Sequence, residues 1–142
     1  VNYGFTGTRR GMTNFQLDGT RRVLMHGIKT FEVVEVYHGD CVGADEQFDE
    51  IAADLGLPRF LLPGNDERYR AHCERRGAII LEPPAPPLAR NDRIVFHANI
   101  MTATPGEDIE MNRSGTWATI RRTRNAGKKL ILLFPDRLKT RA

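Results

Sequence analysis

Cysteine, tryptophan and lysine are scarce in this 142-residue chain, which has two Cys, one Trp and four Lys against seventeen Arg. Cys41 and Cys73 lie far outside any CxxC spacing. That excludes a disulfide-stapled secreted scaffold and a zinc ribbon, and it fits a reduced, cytoplasmic compartment. No apolar run approaches the roughly 18 residues that span a bilayer, and the opening residues carry no charged segment leading into an apolar one, so neither membrane insertion nor secretion is expected. Charge of a single sign is missing as well, because 21 basic and 18 acidic residues leave a net charge of +3. The pairs Arg9-Arg10, Arg21-Arg22, Arg75-Arg76 and Arg121-Arg122 are dispersed and indicate no duplex-binding basic arm. Neither GxxxxGK[ST] nor GxGxxG occurs, which counts against a P-loop NTPase and a Rossmann dehydrogenase.

A hydrophobic fraction of 40% with 27% charged residues is that of a folded domain, and the length predicts a single domain over 1–142, at about 150 residues per domain. The arginine excess suits a local phosphate site, since the guanidinium fork matches phosphate oxygens bidentately and the lysine ammonium does not. Arginine-favouring codon usage gives the same skew, so composition by itself names no partner.

Short β-rich runs alternate with helical patterns. Strands are expected at 2–6, 31–37, 59–62, 78–81, 98–102 and 129–134, and helices at 14–26, 44–55, 89–97 and 116–125, with Gly56 and Gly127 as stops. Residues 66–76 are polar and helix-capable, and 82–88, with four prolines, form a surface excursion. This alternation predicts an α/β fold, a Rossmann-like open parallel sheet with helices on both faces, in three layers α/β/α.

Ligands of such sheets bind beyond the carboxyl ends of the strands, where three small-residue loops should emerge, each leading towards a helix N-terminus. Gly7, Thr8, Arg9 and Arg10 form the first loop, Gly39, Asp40, Gly43 and Asp45 belong to the second, and Arg113, Ser114, Gly115 and Thr116 form the third. Ser114 caps the last long helix, and with Thr116 it presents hydroxyls and N–H groups to a phosphate. Asp40 and Asp45 either hydrogen-bond a ribose or serve as caps, with capping expected for Asp45. His38 at a strand end is expected to be a hydrogen-bonded structural histidine. No metal is expected, because His26, His72 and His97 share no ligand spacing with one another or with the cysteines. Cys41 has no evident base and is not read as a nucleophile, and Trp117 is placed in the core.

Four segments together, G-F-T-G-T-R-R from Gly4, H-G-D-C-V-G-A-D from His38, A-R-N-D-R-I-V from Ala89 and R-S-G-T-W-A-T-I-R from Arg113, resemble the SLOG superfamily. That superfamily joins the DNA-processing DprA/Smf proteins to the LOG phosphoribohydrolases, and the motifs look nearest to its small YspA-like bacterial and phage branch. The resemblance implies a nucleotide or nucleotide-derived ligand, with the Ser-Gly-Thr turn on phosphate, Arg90, Asn91 and Arg113 at the site, no required cofactor, and a homodimer. LOG hydrolases carry P-G-G-x-G-T-x-x-E, and Ala118 and Thr119 stand here where the catalytic acid belongs. The leading expectation is therefore a nucleotide sensor or binding protein, not an enzyme. The alternatives are N-glycoside hydrolysis of a nucleoside monophosphate with Glu110 or Asp45 as the acid, and DprA-like binding of single-stranded DNA, which Arg90-Asn91-Asp92-Arg93 resembles.

Overall fold

The computed structural model describes residues 1–136; the last six residues of the expected 1–142 domain lie outside them. Six strands, β1 (Asn2–Gly7), β2 (Glu35–His38), β3 (Arg59–Leu61), β4 (Ile79–Ile80), β5 (Ile100–Thr104) and β6 (Lys129–Leu132), form one sheet in the order β4-β3-β2-β1-β5-β6. Every pairing is parallel. The fold is the expected Rossmann-like α/β architecture.

The period-2 geometry of β1 explains the layers. Tyr3 and Phe5 point to one face, where they pack with Leu24 of α1 (Asn14–Thr30) and Phe48 of α2 (Ala44–Asp54). Phe5 and Phe48 stack with ring centres 4.3 Å apart. Such buried aromatic pairs add about 0.5–1.5 kcal/mol beyond their area. Gly4 points to the opposite face, where a Cβ would fall 2.3 Å from the Met101 sulfur. This face is covered by α3 (Pro87–His97), through Ile94 and Val95, and by α4 (Gly115–Asn125), through Trp117 and Ile120. Trp117 is thus a core residue.

Thr13 and Gln16 form a capping box at the start of α1. The buried Gln16 amide also donates to the Pro105 and Leu133 carbonyls at 2.8 Å each. One side chain therefore ties α1 to the ends of β5 and β6, and it fixes where the β5–α4 loop leaves the sheet.

The sequence expectations shift in four places. α1 continues to Thr30, and Phe31 becomes its C-cap, so the expected strand at 31–37 begins only at Glu35. Residues 66–76 form two 3₁₀ turns, Glu67–Tyr69 and Cys73–Arg76; between them Arg70 turns inward onto Asp40, and His72, at φ 58°, pairs with the flanking Glu67 and Glu74. α3 begins inside the expected proline excursion at Pro87, a first-turn position where the missing N–H removes no helix bond. The strand expected at 98–102 is shifted to Ile100–Thr104.

Candidate functional site

β1 lies in the middle of the sheet, and its neighbours β2 and β5 carry the chain away to opposite sides. Ligands of parallel sheets bind at such a reversal of strand order. Gly7 pairs with Thr104, so the loops after β1 and β5 leave side by side. Between them and the first turn of α3 opens a cavity of about 480 Å³. That is within the range of small-molecule sites, about 300–1,000 Å³.

Gly7, Thr8, Arg9, Arg10, Asp45, Arg90, Asn91, Arg113, Ser114, Gly115 and Thr116 all line it. Ser114 caps α4, its hydroxyl accepting from the Trp117 N–H at 3.2 Å. The N–H groups of the preceding first-turn residues, Gly115 and Thr116, have no carbonyl within the helix to reach. The partial positive charge of the helix start reinforces them as anion donors.

The distribution of arginine partners is the most informative electrostatic feature. Most described arginines pair with a carboxylate, from Arg10 with Glu107 at 2.7 Å to Arg124 with Glu110 at 3.8 Å. Among the described residues, Arg9, Arg75, Arg90 and Arg113 make no such pair, and all of these except Arg75 line the cavity. Arg90 is half-buried. Its guanidinium donates to the Gly39 carbonyl and to Asn91 Oδ1, both at 2.8 Å, and Nη2 faces only the Cys41 sulfur at 3.8 Å. A half-buried guanidinium hydrogen-bonded to neutral groups, with the Asp45 carboxylate near but in no salt bridge with it, keeps donors for an incoming anion.

Asp45 is the buried carboxylate in the cavity wall. It accepts from the Cys41 N–H at 3.2 Å. Burial pushes its carboxyl above the ordinary value, against the lowering influence of His38 and Arg90. The capping role expected of Asp45 is not found, since Gly43 is the α2 N-cap and no side chain caps this helix. Burial and Asp45 likewise push the Cys41 thiol up, which keeps it from being a ready nucleophile.

Several residues expected at the site do not line the cavity. Asp40 is fully buried in a left-handed conformation, φ 57°. Its carboxylate meets Arg70 at 2.7 Å and accepts the Cys73 N–H at 2.9 Å, so it holds the 3₁₀ segment and cannot reach a ribose. Gly39 lies beneath Arg90, where a Cβ would fall 2.3 Å from Nη1. Gly43, at φ 89°, lets the β1 loop pass so closely that a Cβ would sit 2.2 Å from the Arg9 carbonyl oxygen. That contact delivers the Thr8 carbonyl to the Ala44 N–H at 3.0 Å. The start of α2 is thus occupied by protein, and the second loop reaches the cavity only through Cys41 and Asp45. Glu110 is paired with Arg121 at 2.9 Å outside the cavity.

His38 is fully buried, as a structural histidine. His38, Asp49 and Cys73 present ligand-type atoms within 4.8 Å of one another, a trio that sequence spacing did not reveal. The hydrogen bonds oppose a metal there. His38 Nδ1 accepts from the Asp40 N–H at 3.0 Å, which leaves the ring proton on Nε2, donated to Asp49 at 2.8 Å. A metal on Nε2 would force a proton onto Nδ1, against the Asp40 N–H. Arg59 on Asp49 and Arg76 on the Cys73 sulfur add positive charge beside it. Although burial opposes ionisation of Asp49, the bonds from His38 and Arg59 hold its carboxyl below the ordinary value.

Sequence reasoning also missed the contribution of the segment between β3 and β4. Gly64, Asp66, Tyr69 and Arg70 line the cavity too.

No family model matches the chain, and no curated protein matches it. Solved structures do. The molybdenum cofactor binding protein of the phototrophic bacterium Rippkaea orientalis superposes over 97% of this chain and 78% of its own, with a TM-score of 0.71 at 18% identity. TM1055, a structural genomics target, superposes over 92% of this chain and 72% of its own, with a TM-score of 0.64 at 14% identity. At these identities the likeness establishes the fold: this is a Rossmann-like α/β protein, with its cavity at the switch point of the sheet. Among the described residues, no helix is long and apolar enough to cross a membrane.

Proposed function

We propose that the protein binds a nucleotide or nucleotide-derived small molecule, with its phosphate on the Ser114-Gly115-Thr116 turn and the Thr8 to Arg10 loop. The observation that carries this reading is the set of three arginines without carboxylate partners, Arg9, Arg90 and Arg113, around one cavity that also receives the open N-terminus of α4. Guanidinium groups in no direct salt bridge, around a helix start, supply donors for an anion. The four motifs resembling the SLOG superfamily favour a nucleotide over other anions. The Rippkaea neighbour, described as a cofactor-binding protein, supports a small-molecule ligand in a cavity of this fold. A cytoplasmic location suits such a ligand.

Titration calorimetry with AMP tests the proposal. Arg113→Ala and Arg90→Ala should each weaken binding by about 1.5–3 kcal/mol, the scale of a hydrogen bond to a charged group. Wild-type affinity in both variants would overturn it. Affinity confined to oligonucleotides and falling steeply with salt would point to single-stranded DNA instead.

A second reading rests on Asp45. A carboxyl in the cavity whose hold on its proton is strengthened by burial has the character of a general acid. It would serve N-glycoside hydrolysis in place of the glutamate missing near Ala118. Release of free adenine from AMP, abolished in Asp45→Asn, is its signature.

A further inference from the structure

Two aromatic rings line the cavity, Phe5 and Tyr69. Phe5 is fully buried against Phe48 and has no face to offer. Tyr69 is half-buried, at the end of the 3₁₀ turn Glu67–Tyr69, and among the described residues its hydroxyl has no hydrogen-bond partner. Its ring is covered by guanidinium groups, Arg9 at 3.9 Å from the ring centre and Arg68 at 5.2 Å.

The two cations are held very differently. Arg68 is anchored on Asp66 by two bonds, Nε to Oδ1 at 3.0 Å and Nη2 to Oδ2 at 2.8 Å. Among the described residues Arg9 makes no salt bridge; its guanidinium lies on the ring, with the Asp66 carboxylate close enough to feel its charge. An exposed cation–π contact is weak, whereas a guanidinium on phosphate forms charge-assisted bonds. Arg9 also belongs to the loop assigned to phosphate, so a ligand offers it a stronger partner and uncovers the ring at the same moment. Any planar heteroaromatic ring can use a freed tyrosine face, because stacking needs only a π-face and no hydrogen-bond pattern.

We infer that Tyr69 is the stacking surface for the base of the ligand, with Arg9 as its exchangeable cover. The inference rests on the nucleotide reading and adds the end of the cavity at which the base sits. It also keeps the base apart from the loop of 38–45, where His38 and Asp40 are buried and committed to protein partners.

The experiment uses the full chain, calorimetry, and two probes, AMP and ribose 5-phosphate, which differ by the base. Tyr69→Leu should weaken AMP by about 5- to 150-fold, the range for losing one base-stacking partner, and leave ribose 5-phosphate essentially unchanged. Tyr69→Phe, which keeps the ring, should retain AMP affinity. Equal loss for both probes, no loss for AMP in Tyr69→Leu, or loss of AMP in Tyr69→Phe would each overturn the stacking assignment. Wild-type protein that binds ribose 5-phosphate as tightly as AMP would overturn it while leaving the phosphate site standing. Wild-type protein that binds neither probe would overturn the nucleotide reading and this inference together.

Discussion

Replacing Asp40 separates a structural role from a ligand-binding one. Its carboxylate is fully buried, and its main partner Arg70 is nearly so, with a side chain 8% exposed. Removing one partner of a buried ion pair costs about 3–5 kcal/mol, because the other charge is left uncompensated. Here Glu74 still reaches Arg70 at 3.2 Å, which moves the expectation to the lower part of that range. Two further losses push it back up. The Cys73 N–H loses its acceptor, and alanine at φ 57° is strained by about 1–2 kcal/mol where aspartate is tolerated. The expected loss for Asp40→Ala is about 3–4 kcal/mol. In urea this lowers the midpoint by about 1.5–2 M, for a slope of about 2 kcal/mol per M. Asp40→Asn keeps the left-handed preference and an acceptor for Cys73 while losing the charge, and should cost about 1.5–3 kcal/mol. AMP affinity of the Asn variant should change far less than that of Arg90→Ala, since Asp40 does not line the cavity. A loss below about 1 kcal/mol in Asp40→Ala, typical of an ordinary surface site, would refute the buried-pair argument. A stable Asp40→Asn protein that no longer binds would return Asp40 to the ligand.

Three other substitutions test burial and backbone conformation. Asp45 has its carboxyl raised above the ordinary value by burial; folding therefore favours its protonated form, and stability falls as pH rises from the unfolded value, about 3.9, through the raised folded one. Asp45→Asn should then melt higher than wild type at neutral pH, by about 2–4 °C for each kcal/mol relieved, and the gain should vanish towards pH 4 in a series of thermal melts; a gain independent of pH would refute the cause. Gly43→Ala should lose at least about 2 kcal/mol, combining left-handed strain with a Cβ placed against the Arg9 carbonyl. Gly56→Ala, at φ 73° with open space around it, should lose only the strain, about 1–2 kcal/mol, so equal denaturation midpoints for the two variants would refute the close-approach argument.

What could be read in the sequence was what depends on neighbours along the chain. The β-rich runs and helical patterns placed every strand and helix of the sheet, because side-chain period and flanking glycines are local signals. Ser114 could be read as a cap for the same reason. The partners of Asp40 and Gly39 could not, since a carboxylate in a small-residue loop looks the same whether it faces a ribose or an arginine thirty residues further on. Tyr69 was missed because a 3₁₀ turn has no periodicity to register, and its single cue, an aromatic between Arg68 and Arg70, acquires meaning only when Arg9 arrives from the other side of the cavity.

The two loop-to-helix junctions make the same point about function. His38-Gly-Asp-Cys-Val-Gly and Arg113-Ser-Gly-Thr both read as glycine-containing approaches to a helix start, and both offer a positive dipole end to an anion. Gly43 lets the β1 loop close on α2, and the Thr8 carbonyl takes the Ala44 N–H. At α4 the cap comes from Ser114, which satisfies the Trp117 N–H from its own side chain, and Gly115 and Thr116 before it line the cavity. One junction has its donor used within the protein, and at the other the proposed function gives the first-turn N–H groups to the ligand. On the proposed function, the anion therefore sits on the β1–β5 side of the switch point, with Arg113 and Arg90 lining the same cavity, and the base goes to Tyr69 in the segment after β3.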